Sequence, residues 1–242
     1  MKYYWEEWKD KSKLEESAIK TVLRAVEIVT NNIPKDKVES IYVGGSFVRR
    51  EMNSKSDVDT WTIVNDNSVL AEFEKLSRKY KNTTKPEISL AVLSLWELKN
   101  NKHYIKPDRP RATPSRFVKK LPFVRNIYGK KLNPNDFPIF SDREDLEGMI
   151  EGFRKYFIPL YKKGKFAFSS LVKAVFWLTE AELGYLKQKR YFTWEELVRN
   201  VGEKHIVRDA WVFRIDSYKD ESKRKAFLDK LSKHIEALDS AL

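Results

Sequence analysis

The sequence predicts an α/β chain of the α+β kind: a small mixed sheet with flanking helices over residues 1–138, then an all-α helical bundle over residues 139–242. Three observations predict it. Apolar residues alternate with polar ones at 38–44, 57–64 and 87–94, which is the period of a strand. Beyond Asn133-Pro134-Asn135-Asp136-Phe137-Pro138, every apolar stripe has helical spacing instead. The links between those stripes are short, which makes antiparallel neighbours and a bundle of about five helices.

The elements follow in order. Residues 12–32 carry a capping box (Ser12 to Glu15) and an apolar stripe through Leu14, Ala18, Val22 and Val29, ended by Asn31-Asn32-Ile33-Pro34. The aromatic cluster ahead of it (Tyr3, Tyr4, Trp5, Trp8) is expected to pack on the body of the protein. A first strand at 38–44 runs into a tight Gly44-Gly45-Ser46 turn and a polar helical turn. The second strand opens with Asp57-Val58-Asp59. A cap cluster at 65–68 and the stripe Val69, Phe73, Leu76, Tyr80 give a helix, and Glu87 leads a third strand. Residues 99–120, rich in Lys, Arg and Pro, read as a basic loop until about Ser115. Gly129 reads as a helix C-cap or turn. In the bundle, stripes begin at Leu146 (ending near Pro159), Phe168, Thr193, Ile206 and Ala226.

Side chains two apart on a strand share a face, so Asp57 and Asp59 project together while Val58 points to the packed side. Two neighbouring carboxylates repel unless a cation sits between them, and hard oxygen ligands suit Mg²⁺. The Gly-Gly-Ser turn supplies backbone N–H groups unshielded by side chains, and a hydroxyl, a complement for phosphate. Gly44-Gly45-Ser46, Arg49, Glu51 and Ser56-Asp57-Val58-Asp59 together resemble the signature of the DNA polymerase β-type nucleotidyltransferases. The resemblance is closest to aminoglycoside adenylyltransferase-like and minimal nucleotidyltransferases with a C-terminal helical domain. It implies AMP transfer from ATP, or from another nucleoside triphosphate, to a hydroxyl acceptor. It places one or two Mg²⁺ on Asp57, Asp59 and a third carboxylate, Glu87, with Glu97 the fallback. It gives nucleotide binding to Gly44, Gly45 and Ser46, with Arg49 or Lys55 adding positive charge. Residues 1–138 are then the catalytic domain and 139–242 an acceptor-binding or partner domain.

The formal net charge is +12, and residues 99–131 hold 11 basic side chains against the single acid Asp108. Such a field attracts polyanions and disfavours a strongly cationic acceptor. It also sustains a second expectation, a non-catalytic, antitoxin-like protein of the same fold that binds RNA or a helical protein partner. Cysteine is absent, and no apolar run approaches the roughly 20 residues of a membrane span. A cytoplasmic protein of thermophile-like composition is expected. Three histidines without cysteine argue against zinc. His103 falls in the basic loop and His234 on a helix expected to be exposed. Arg199 and His205 resemble the Arg-x(4–6)-His pattern of HEPN ribonucleases, though Gly202 interrupts the helix between them.

Overall fold

The computed structural model describes residues 3–105, 113–189, 191–216 and 220–242. The chain divides into two compact units, Met1–Ile139 and Phe140–Leu242.

In the first unit, helix α1 (Lys13–Asn32) begins at the Ser12 cap, whose hydroxyl accepts the Glu15 N–H while the Glu15 carboxylate accepts the Ser12 N–H. Strand β1 (Val38–Val43) leads through Gly44 into a short helix, α2 (Gly45–Arg49). Strand β2 (Val58–Val64), helix α3 (Leu70–Tyr80) and strand β3 (Ile88–Ser94) follow. Then come α4 (Leu95–Asn100), α5 (Pro114–Lys120) and a strand absent from the sequence reading, β4 (Arg125–Gly129). Gly129 therefore closes a strand rather than a helix. The segment offers few alternating apolar residues, and an edge strand with one neighbour needs few.

The sheet is mixed, in the order β3-β2-β1-β4, with β2 and β3 parallel and the other pairs antiparallel. Register sorts its two faces. Val43, Ile41, Val58, Thr60, Thr62, Ile88, Leu90 and Val92 share one face, and all are buried. Helices α1 and α3 cover that face: Ala18, Val22, Ala25 and Val29 are fully buried, and Thr21 Oγ1 donates to Pro86 O at 3.3 Å where the chain enters β3. The other face carries Tyr42, Trp61, Ile63 and Leu93, packed with Leu98, Phe117, Val118 and Leu121. Thr60 and Thr62, which the alternation places opposite Trp61 and Ile63, are buried as well, because β2 is covered on both faces.

The regular elements of the second unit are all helices among its described residues. Helix α6 (Asp142–Gly152) passes through a π-turn (Phe153–Phe157) into α7 (Ile158–Lys162). The helix thus runs beyond Pro159 rather than ending there. The π-turn shifts the hydrogen-bond ladder just before the proline, so its missing N–H falls near a helix start, where none is needed. Helices α8 (Phe168–Tyr185), α9 (Trp194–Asn200), α10 (Ile206–Asp216) and α11 (Glu221–Ser240) complete the unit, six helices among the described residues where five stripes were read. Its core joins Leu146, Phe153, Val175, Phe176, Leu231 and Ile235.

Candidate active site

The candidate acids stand where β2 and β3 begin, on the sheet face that carries Trp61. Asp59 pairs in register with Ser89, and Val58 N–H donates to Glu87 O at 2.8 Å. Asp57 and Glu87 are each the residue before their strand, so continuing the parallel register sets Glu87 beside Asp57, on the face of Asp59. Asp57, Asp59 and Glu87 are all half-buried. The side-chain amide of Asn82, with its nitrogen as donor, lies 3.0 and 3.1 Å from the two Glu87 oxygens and holds that carboxylate.

The turn opposite is fitted to Asp59. Gly44 N–H donates to Asp59 O at 3.1 Å. That N–H is therefore engaged with the strand that carries the acid. Gly45 has φ +68°, and a β-carbon there would overlap Asp59 Oδ2, so only glycine lets the turn lie against the carboxylate. A β-carbon on Gly44 would come within 2.8 Å of the Trp61 ring and 2.9 Å of Val124 Cγ1. Ser46 is buried at the first turn of α2.

Two anchors fix this turn. Phe47 is fully buried among the rings of Tyr4, Trp5 and Trp8, with centroids 5.4 to 6.2 Å away, which gives the N-terminal aromatic cluster its place. Arg50 ends α2 in the left-handed conformation, φ 58°. Its Nε and Nη2 donate to Glu15 at 2.7 and 3.1 Å, Nη2 and Nη1 reach Asp10, and its Cζ lies 4.8 Å over the Trp8 ring. The Arg50 guanidinium holds the Glu15 carboxyl down at about 2, well below the usual range. The cap of α1 and the end of α2 are thereby one structure.

The expected charge-bearing side chains divide. Arg49 is half-buried and donates to Glu51 at 2.7 Å, whereas Lys55 lies exposed at the tip of an Asn53–Ser56 turn. Residues 106–112 of the expected basic loop lie outside the described residues. Glu97 belongs to the capping box of α4: it is 2% exposed and accepts N–H bonds from Ser94 and Tyr104. Burial pushes its carboxyl up, but His103 at 3.3 Å and those bonds outweigh this and leave it below the ordinary value. His103 is thus a partner of Glu97 rather than an isolated residue.

The bundle holds a cluster that no sequence spacing signals. Glu182, His205 and His234 come together from three helical segments, with ligand atoms within 4.8 Å of one another. His234 is half-buried there rather than exposed. Arg199 pairs with Glu195 one turn away, while His205 faces Glu182, so the two members of the Arg-His pattern have different partners.

Residues 24–114 match the family model of nucleotidyltransferase domains. None of the curated proteins matches the sequence. Among solved structures, the fold is similar to a spectinomycin adenyltransferase, AAD(9) from Enterococcus faecialis, solved with ATP and spectinomycin. The TM-score is 0.50 at 12% identity, covering 95% of this chain and 100% of that one. A mutant of the toxin–antitoxin pair MntA–HpeT overlaps more loosely, with TM-score 0.33 at 13% identity over 55% of this chain and 91% of that one.

Proposed function

We propose, from the match of residues 24–114 to nucleotidyltransferase domains, that this chain is a Mg²⁺-dependent adenylyltransferase-like enzyme that moves AMP from ATP to an acceptor hydroxyl. The observation that carries the proposal is the fit of the Gly45 turn against Asp59, a carboxylate on the same sheet face as Asp57 and Glu87. Three carboxylates on one face are a hard-oxygen donor set, the kind Mg²⁺ takes together with water and phosphate. Bound to Asp57, Asp59 and Glu87, one or two Mg²⁺ would neutralise charge on the triphosphate and on the departing pyrophosphate.

The chain's own residues do the rest. Gly45 and Ser46 offer backbone N–H groups and a hydroxyl to the phosphates, and Arg49 or Lys55 adds positive charge beside them. Glu87, held by the Asn82 amide, either completes the carboxylate set or accepts the proton of the attacking hydroxyl. Residues 1–138 form the donor side, and residues 139–242 the acceptor or partner side. With a formal charge of +12, the acceptor is neutral or anionic rather than strongly cationic.

The test is a thermal-shift titration with ATP, CTP, GTP and UTP, with and without Mg²⁺, on the wild type and on Asp57→Ala/Asp59→Ala. Ligands that bind only the native state raise its melting point by mass action. One triphosphate is expected to give a Mg²⁺-dependent shift that the double variant loses. If no triphosphate shifts the wild type, or if the double variant responds equally, the proposal fails.

A further inference from the structure

Three side chains in the helical unit have no part in the proposed transfer. Glu182 lies on α8, His205 directly precedes α10, and His234 lies on α11. The Nε2 atom of each imidazole is 3.0 Å from the same Glu182 oxygen, Oε2. The two rings meet edge to face with centroids 4.8 Å apart, and Glu182 is only 9% exposed. The chain has three histidines in all, and two of them converge on one buried carboxylate from elements far apart in sequence. Two imidazole nitrogens and one carboxylate oxygen are borderline donors that suit Zn²⁺ and leave a coordination position for water. Mg²⁺ prefers oxygen ligands, so this cluster and the acids of the first unit select different ions.

We propose that Glu182, His205 and His234 form a Zn²⁺-class binding site that clasps α8, α10 and α11. A further contact determines how binding registers. Val207 N–H donates to His205 Nδ1 at 3.2 Å, which puts the ring hydrogen of the metal-free protein on Nε2, pointing at Glu182. Coordination needs the Nε2 lone pair. The hydrogen therefore moves to Nδ1, and the Val207 N–H gives up its bond as the first turn of α10 adjusts. Losing one such hydrogen bond weakens binding by about tenfold, small beside what three ligands contribute to a Zn²⁺ site.

The experiment uses the full, untagged chain stripped with EDTA and titrated with Zn²⁺ alone by calorimetry. Co²⁺ absorption reports coordination, and ring-nitrogen NMR reports the His205 tautomer. One Zn²⁺ per chain is expected, with a raised melting point, a His205 hydrogen that shifts from Nε2 to Nδ1, and a changed Val207 amide signal. Glu182→Gln and His234→Gln should each weaken binding by about a hundredfold, while His103→Gln and Asp57→Asn/Asp59→Asn leave it intact. Should either glutamine variant fail to fold, the wild-type NMR titration decides alone. Absence of stoichiometric Zn²⁺ binding, binding that survives His234→Gln, or His205 ring signals unmoved by Zn²⁺ would overturn the proposal and leave a hydrogen-bonded clasp.

Discussion

Replacing Gly45 by alanine separates backbone strain from damage to the site, because the chain contains its own control. Gly45 and Gly164 share φ +68°, but a β-carbon on Gly164 would meet nothing within 4 Å, whereas on Gly45 it would overlap Asp59 Oδ2. Placing alanine in the left-handed region costs about 1–2 kcal/mol. Gly164→Ala should lose that much stability and nothing else. Gly45→Ala should lose as much again or more, because overpacking adds about 1–3 kcal/mol. The carboxylate must also move, and a displacement of about 1 Å at a reacting centre costs about a hundredfold in rate. Denaturant melts of each unit, with the Mg²⁺-dependent nucleotide shift and transfer rate, measure all three effects. If Gly45→Ala keeps the nucleotide response and is no less stable than Gly164→Ala, the turn does not position Asp59.

Two further outcomes follow from buried charges. Arg50→Ala should destabilise the first unit, since it strands the buried Glu15 carboxylate and frees the end of α2. The folded Glu15 carboxyl is depressed, so its contribution is present above the ordinary carboxylate range and lost as pH falls towards about 2. Melts at pH 7 and pH 3 should therefore show a smaller acid loss in the variant, and an unchanged acid loss would refute the pairing. For Glu182, burial pushes the carboxyl up, but His205 and His234 bring it down to about 2. Stability of the metal-free bundle should thus hold above about pH 4.5 and fall by up to about 3 kcal/mol towards pH 2. Glu182→Gln should flatten that fall, and a variant curve parallel to the wild type would sink the assignment.

What the sequence made legible was local. The Ser12–Glu15 box, the alternation of β2 and β3 and the stripes of α8 and α11 each lie within one element, where period and capping act over a few residues. The shared face of Asp57 and Asp59 follows from strand geometry in the same way. β4 was illegible because its strand character depends on β1, which it meets across more than 80 residues, and its own residues have little alternation. The helix through Pro159 is not legible in the sequence because the π-turn that accommodates the proline has no signature in composition.

The same distinction separates the two candidate ion sites. Gly44, Gly45, Asp57 and Asp59 sit within 16 residues, so one hairpin-like excursion brings the turn and the acids together. Glu182, His205 and His234 span 53 residues, and each alone has an ordinary role: a helix glutamate, a helix cap and a half-buried helix residue. Only the packing of α8, α10 and α11 makes them neighbours, and packing is set by the apolar faces, not by the polar residues that meet as a result. A scarcity of histidine therefore says little about whether a nitrogen-rich site exists. The arrangement of the three helices decides it, because two histidines suffice once a third ligand is buried between them.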